Sequence, residues 1–154
     1  KLLYFHMIMK PKYDAILIDA YFSDLSIPFQ LTTVEAVQKM YNGLTDKGVL
    51  IVNIISKLKE KQNMFLGAEV ATYKKVFPQV YIFPLAGTDD LEKRQNVMLV
   101  AVKSQDILSF ESSDPVESDF LYRKWEGELN SEIILTDDFA PVEYLVTKEI
   151  LKVK

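Results

Sequence analysis

The chain has no cysteine and a single histidine, His6. Disulfides and thiolate metal sites are therefore excluded, as is any site that needs two imidazoles. Glycine is sparse. Gly43, Gly48, Gly67, Gly87 and Gly127 are too scattered to form a G-x-G-x-x-G phosphate cradle. No serine-nucleophile elbow and no metal-ligand spacing is present. No apolar run approaches the roughly 20 residues that span a bilayer. Residues 2–9 have the look of a short signal core, but they end in Lys10-Pro11-Lys12 and no small-residue cleavage pattern follows. They read as a buried strand or helix segment. A long basic run is also missing, and the formal net charge is −4. That weighs against nucleic acid and anionic membranes as partners and favours a cytoplasmic setting.

What is present fits one α/β domain. The 154 residues are 49% hydrophobic, enough for a sizeable core. Residues 13–20 are nearly continuous apolar, with β-branched Ile16 and Ile18, which predicts a strand buried on both faces, as in parallel sheets. Thr32-Thr33-Val34-Glu35 matches a capping box, and Val34, Val37, Met40, Tyr41 and Leu44 follow at helical spacing. Asp46-Lys47-Gly48 is the expected stop, and 49–55 the second strand. The alternation repeats with a helix over 60–77, a strand over 80–85, a polar connection over 87–95 and a strand over 96–102. Strands alternating with helices imply crossovers and a mostly parallel sheet. The connection before Asn96 is short for a crossover helix, so the fourth strand is expected antiparallel and the first three parallel. Beyond Lys103 the expectation is a polar loop over 104–118, a short helix over 119–129 and a closing helix over 142–151. The sequence opens at Lys1 rather than a methionine, and it can therefore start inside a longer protein.

Two places carry candidate chemistry. Asp19 interrupts an apolar strand at its end, and Asp24 lies in the loop beyond. In open α/β sheets ligands bind outside the carboxyl ends of the strands. A carboxylate there can accept a proton from an amine or orient a cation. The plainer alternative is that Asp19 caps a turn and Asp24 is solvated. The second place is Thr136-Asp137-Asp138-Phe139-Ala140-Pro141. Its two acids can serve a ligand, or can cap a helix with Pro141 in the first turn. Tyr21 and Phe22 can line a pocket or simply pack. His6 sits in apolar context and reads as a core or edge histidine. Asp89-Asp90 reads as solvated.

The stretch YDAILIDAY, followed by IPFQLTTVEAVQKMYNGLTDKGVLIVNI, resembles the second half of spermidine synthase-like proteins of the class I S-adenosylmethionine-type Rossmann superfamily. The shared pattern is a Tyr-Asp-x-Ile strand ending in Asp, a loop with a second acid, an L-x-T helix start and a Gly-Val-Leu strand. QNVMLVAV and LTDDFAPVEYL resemble later segments of the bacterial branch. The resemblance covers most of 13–145. It implies a Rossmann-like sheet lacking the N-terminal nucleotide-loop half, which lies upstream in the family. It also implies aminopropyl transfer from decarboxylated S-adenosylmethionine, a co-substrate rather than a bound cofactor, to a diamine. Asp19 then matches the carboxylate that deprotonates the attacking amine. Asp24 matches loosely the second acid, with Tyr21, Asp137 and Asp138 as further substrate-binding candidates. The acids are spaced more widely here than in the family's D-S-S-D-P-type loop, and no Gly-Pro follows. An S-adenosylmethionine-dependent methyltransferase on the same fold, and a non-catalytic binding or oligomerisation domain, are the alternatives. Expected partners are a polyamine or nucleoside; the unpaired edge of the first strand can be covered by residues 2–9 or by a second copy of the chain.

Overall fold

The computed structural model describes residues 12–20, 27–59 and 64–151, with side chains to residue 148. His6, Tyr21, Phe22, Asp24 and residues 2–9 lie outside the described residues.

Strand β1 (Tyr13–Ile18) lies parallel to β2 (Leu44–Ser56), with Ala15 opposite Val49 and Ile18 opposite Val52. Helix α1 (Val34–Gly43) makes the crossover between them. Helix α2 (Phe65–Lys74) follows, and then β3 (Gln79–Pro84) and β4 (Gln95–Val102). The strand order is β1-β2-β4-β3, with β4 antiparallel to both of its neighbours. The sheet is thus mixed. β1, β2 and β3 run the same way, as the alternation of elements predicts, and the short return before β4 reverses it.

The register sorts the strands into two faces. Ile18, Leu50, Val52, Ile54, Val97, Leu99 and Ala101 belong to one buried core, with half-buried Ile16 packed against it. Val37 of α1, Leu66, Val70 and Tyr73 of α2, and Val142 and Leu145 of α4 (Val142–Leu151) pack into that same core. On the opposite face, Phe83 stacks with Phe120 of α3 (Pro115–Tyr122), and Tyr81 meets the edge of Phe110. That cover does not reach β1, where Leu17 is 68% exposed and Tyr13 54%. The expectation of a strand buried on both faces is corrected here. Among the described residues β1 pairs only with β2, and only its Ile16–Ile18 side faces packed helices.

Several boundaries also differ from expectation, each for a local reason. α1 stops at Gly43, so Asp46-Lys47-Gly48 lies inside the long β2. The pairing slips there, from Tyr13 opposite Leu44 to Ala15 opposite Val49. A Cβ at Gly48 would stand 2.8 Å from the Leu44 Cβ, so the irregular strand needs glycine at this point. The last carbonyls of α1 are met by Lys103, whose Nζ donates to Tyr41 O at 3.0 Å and Leu44 O at 2.9 Å. α3 begins earlier than expected because Asp114 caps it, accepting from Val116 N and Glu117 N, with Pro115 in the first turn. The chain after α3 is not helical. Trp125 N donates to Ile82 O at 2.8 Å and Arg123 Nη1 to Leu85 O at 2.6 Å, which occupies part of the outer edge of β3.

Candidate active site at the carboxyl end of the sheet

Asp19 is the first residue beyond β1, at the carboxyl end of the parallel β1–β2 pair, and it is exposed. Its neighbour across the ladder is Asn53 of β2, one position past the Ile18–Val52 pair. Asn53 Nδ2 donates to Asp19 Oδ1 at 3.0 Å. By alternation both residues lie on the face opposite Val52 and Ile54, away from the helix-covered core. The result is an exposed carboxylate with one oxygen engaged, on the rim where open α/β sheets take their ligands. Motif reasoning did not single out Asn53. The signal was available, because an amide interrupts an otherwise apolar strand, Gly48-Val49-Leu50-Ile51-Val52-Asn53-Ile54-Ile55.

The Thr136–Phe139 segment forms a tight turn, each of these two residues donating its N–H to the other's carbonyl at 3.0 Å. The turn docks on the start of α1. Thr33 is the N-cap and its hydroxyl accepts from Ala36 N at 3.2 Å. The same hydroxyl donates to Asp137 Oδ1 at 2.6 Å, and Asp137 N donates to Glu35 Oε2 at 3.0 Å. Val34 N donates to Leu135 O at 2.9 Å. The expected capping box is corrected by this geometry. The cap is Thr33 rather than Thr32, and Glu35 reaches the turn instead of its own helix's first N–H. Asp137 likewise serves the N-terminus of α1, where a carboxylate is favoured by the helix dipole. Asp138 beside it is exposed. The two candidate clusters therefore rest on different partners: Asn53 for Asp19, Thr33 and Glu35 for Asp137.

Because Thr33 is fully buried, removing its acceptor should be felt. Asp137→Ala is expected to destabilise the chain by about 1–2 kcal/mol, the range for a lost cap or a buried hydroxyl left without its partner. Asp137→Asn keeps an acceptor oxygen and should lose less than half of that. Chemical denaturation of both variants measures the difference. Equal losses would show that the hydroxyl contact is not what Asp137 supplies.

Next to the turn, Ile27, Pro28 and Phe29 face Pro141, Glu143 and Tyr144 across a cleft of about 540 Å³. Its walls are mostly apolar, with Glu143 as their carboxylate. Among the described residues no group of His, Cys, Asp or Glu is arranged to hold a metal ion, and no helix is long and apolar enough to cross a membrane.

These elements define a Rossmann-like α/β fold of the S-adenosylmethionine methyltransferase type, with a mixed sheet and an antiparallel fourth strand. In particular it resembles part of the fold of a solved probable spermidine synthase. The chain is similar to a probable spermidine synthase from Corynebacterium glutamicum ATCC 13032, at 20% identity over 74% of this chain and 38% of that one, with a TM-score of 0.55. It also matches human methyltransferase-like protein 13 in complex with SAH, at 22% identity over 80% of this chain and 54% of that one, TM-score 0.45. A third match is a spermidine synthase in complex with the transition-state analogue AdoDATO, at 20% identity over 94% and 46%, TM-score 0.44. The chain thus spans between 38% and 54% of these proteins' lengths. No family model and no curated protein matches it.

Proposed function

We propose that the chain is the C-terminal part of an aminopropyltransferase domain, and that it carries the amine-facing acid of the site. The observation that carries this reading is the Asp19 carboxylate, exposed at the carboxyl end of a parallel strand and held there by Asn53. The nucleotide-binding half of such a site would lie in polypeptide outside these residues. In the reaction, the amine nitrogen of a diamine attacks the methylene carbon next to the sulfonium of decarboxylated S-adenosylmethionine. A C–N bond forms as the C–S bond breaks, and the bonding pair stays on sulfur as a neutral thioether nucleoside. The proton lost by the amine goes to Asp19. Asp24 and Tyr21, which follow Asp19 in the sequence, would bind the diamine, with Asp24 pairing its distal ammonium. Asp138 would attract a cation more readily than Asp137, since Oδ1 of Asp137 is already engaged by Thr33. The net negative charge favours capture of a polycation.

The test is a transfer assay on the full-length protein with decarboxylated S-adenosylmethionine and putrescine, reading aminopropylated amine and thioether nucleoside together by mass spectrometry. Formation of both supports the reading. A methylated product made from S-adenosylmethionine, with no aminopropyl product, would replace it with methyl transfer. The isolated 154-residue chain has a narrower expectation. It lacks a glycine-rich loop whose N–H groups approach a nucleoside at a helix N-terminus. Calorimetry should therefore show no micromolar binding of decarboxylated S-adenosylmethionine to it, and a clear micromolar isotherm would contradict that division of labour.

A further inference from the structure

We infer that Asn53 is a positioning residue for Asp19, and that its amide decides which carboxylate oxygen meets the amine. The inference rests on the aminopropyl-transfer reading of Asp19. Asn53 Nδ2 lies 3.0 Å from Asp19 Oδ1. Oδ1 thus has a donor, and in this reading Oδ2 takes the proton.

The arrangement is built by the sheet rather than by a loop. β1 and β2 are paired through Ile18 and Val52, and the next residue on each strand is the acid on one and the amide on the other. Leu50, Val52 and Ile54 anchor β2 in the core on alternate positions, each no more than 1% exposed. The backbone at Asn53 is therefore held from both sides along its own strand, which fixes where the amide starts from. A long-chain donor such as lysine would bring a positive charge that repels a diammonium substrate. A second carboxylate at this distance would compete with Asp19 for a proton. A neutral, short donor avoids both effects. It orients the acid while leaving the rim negative, which is what a cationic amine requires. The orientation matters because proton transfer needs the base within hydrogen-bond reach of the reacting nitrogen, about 2.6–3.2 Å or one water away.

Two readouts test this. In ¹H–¹⁵N spectra of the 154-residue chain, the Asn53 side-chain amide reports the contact directly. Asp19→Ala should move those two resonances while the backbone amides of Leu50 to Val52 stay in place. In the full-length transfer assay, Asn53→Leu removes the donor at similar volume. It should lower kcat about 10-fold, with KM for putrescine within about twofold and Tm unchanged, in the lower part of the range for a misplaced catalytic group. Asn53→Gln keeps the donor on a longer arm and should recover part of the loss. Side-chain resonances that ignore Asp19→Ala, or wild-type kcat in Asn53→Leu, would overturn the positioning role. A wild-type protein inactive toward amines would instead remove the aminopropyl-transfer reading, and the positioning role with it, while the spectra would still report whether the contact exists.

Discussion

Asp19→Asn in the full-length protein is expected to lower turnover by roughly 100-fold or more, the usual range for a lost acid–base group. The melting temperature should hardly change. Asparagine has nearly the shape of aspartate, and its carbonyl oxygen can still accept the hydrogen bond that Asn53 gives to Oδ1. What disappears is the oxygen able to take a proton. The residue is exposed at a strand end, so loss of its charge removes no buried ion pair. An Asp that merely shapes a turn would show the reverse pattern, a small stability change with activity intact. Steady-state kinetics with putrescine, run beside thermal melts, separates the two. Asp24→Asn in the same assays should raise KM for putrescine more than it lowers kcat, because its proposed part is charge pairing. Wild-type turnover in Asp19→Asn would make the acid structural and end the general-base assignment.

The strands were legible because they repeat a simple signal. Val49 to Ile55 is apolar at every position but one, and such a run between turn residues has few other uses. The reversal of β4 was legible from loop length, since residues 87–94 leave no room for a crossover helix. Exposure of β1 was not legible. Its pattern states how apolar the strand is, whereas burial of its second face depends on what packs over that face, and periodicity holds no information about that. The cap of α1 was misplaced by one residue because Thr32 and Thr33 both fit the rule. Tertiary structure decided between them. Leu135 O takes the N–H of Val34, and Asp137 takes the hydroxyl of Thr33, both from a turn about a hundred positions away. The link between the L-T-T and T-D-D stretches is of the same kind. Each was visible as a motif, and the contact joining them was not. Asn53 was passed over for a different reason. A single polar residue in a strand has no spacing to match, and its meaning appears only when the register sets it beside Asp19.

Glu69 supplies the strongest expected dependence on pH. It lies in the middle of α2, a helix buried on nearly every side, with Phe65, Leu66, Val70 and Tyr73 among its own buried residues. The carboxyl group is fully buried and neither oxygen has a hydrogen-bond partner among the described residues. Burial in apolar surroundings disfavours its ionised form and pushes its pKa well above the ordinary carboxylate value. One turn on, the Tyr73 phenol is pushed up as well, first by burial and then by the negative charge Glu69 would carry. The folded state therefore holds a proton on Glu69 that the unfolded chain gives up near the ordinary value. Below that value both states are protonated and the fold has its full stability. As the pH rises beyond it, only the unfolded chain ionises, and stability falls by about 1.4 kcal/mol per unit. The fall ends once the pH passes the raised folded value, where both states are ionised. Thermal melts at constant ionic strength between pH 5 and pH 8 should accordingly show the wild-type chain losing stability toward the alkaline end. Glu69→Met keeps the unbranched shape and removes the titrating group. Its melting curve should be flatter over that range, and it should melt above the wild type at pH 8. Glu69→Gln removes the charge but buries an amide with donors to satisfy, so its gain at pH 8 should be smaller than that of methionine. Parallel melting curves for the wild type and Glu69→Met would show that the carboxyl finds a partner in solution and does not govern the pH response.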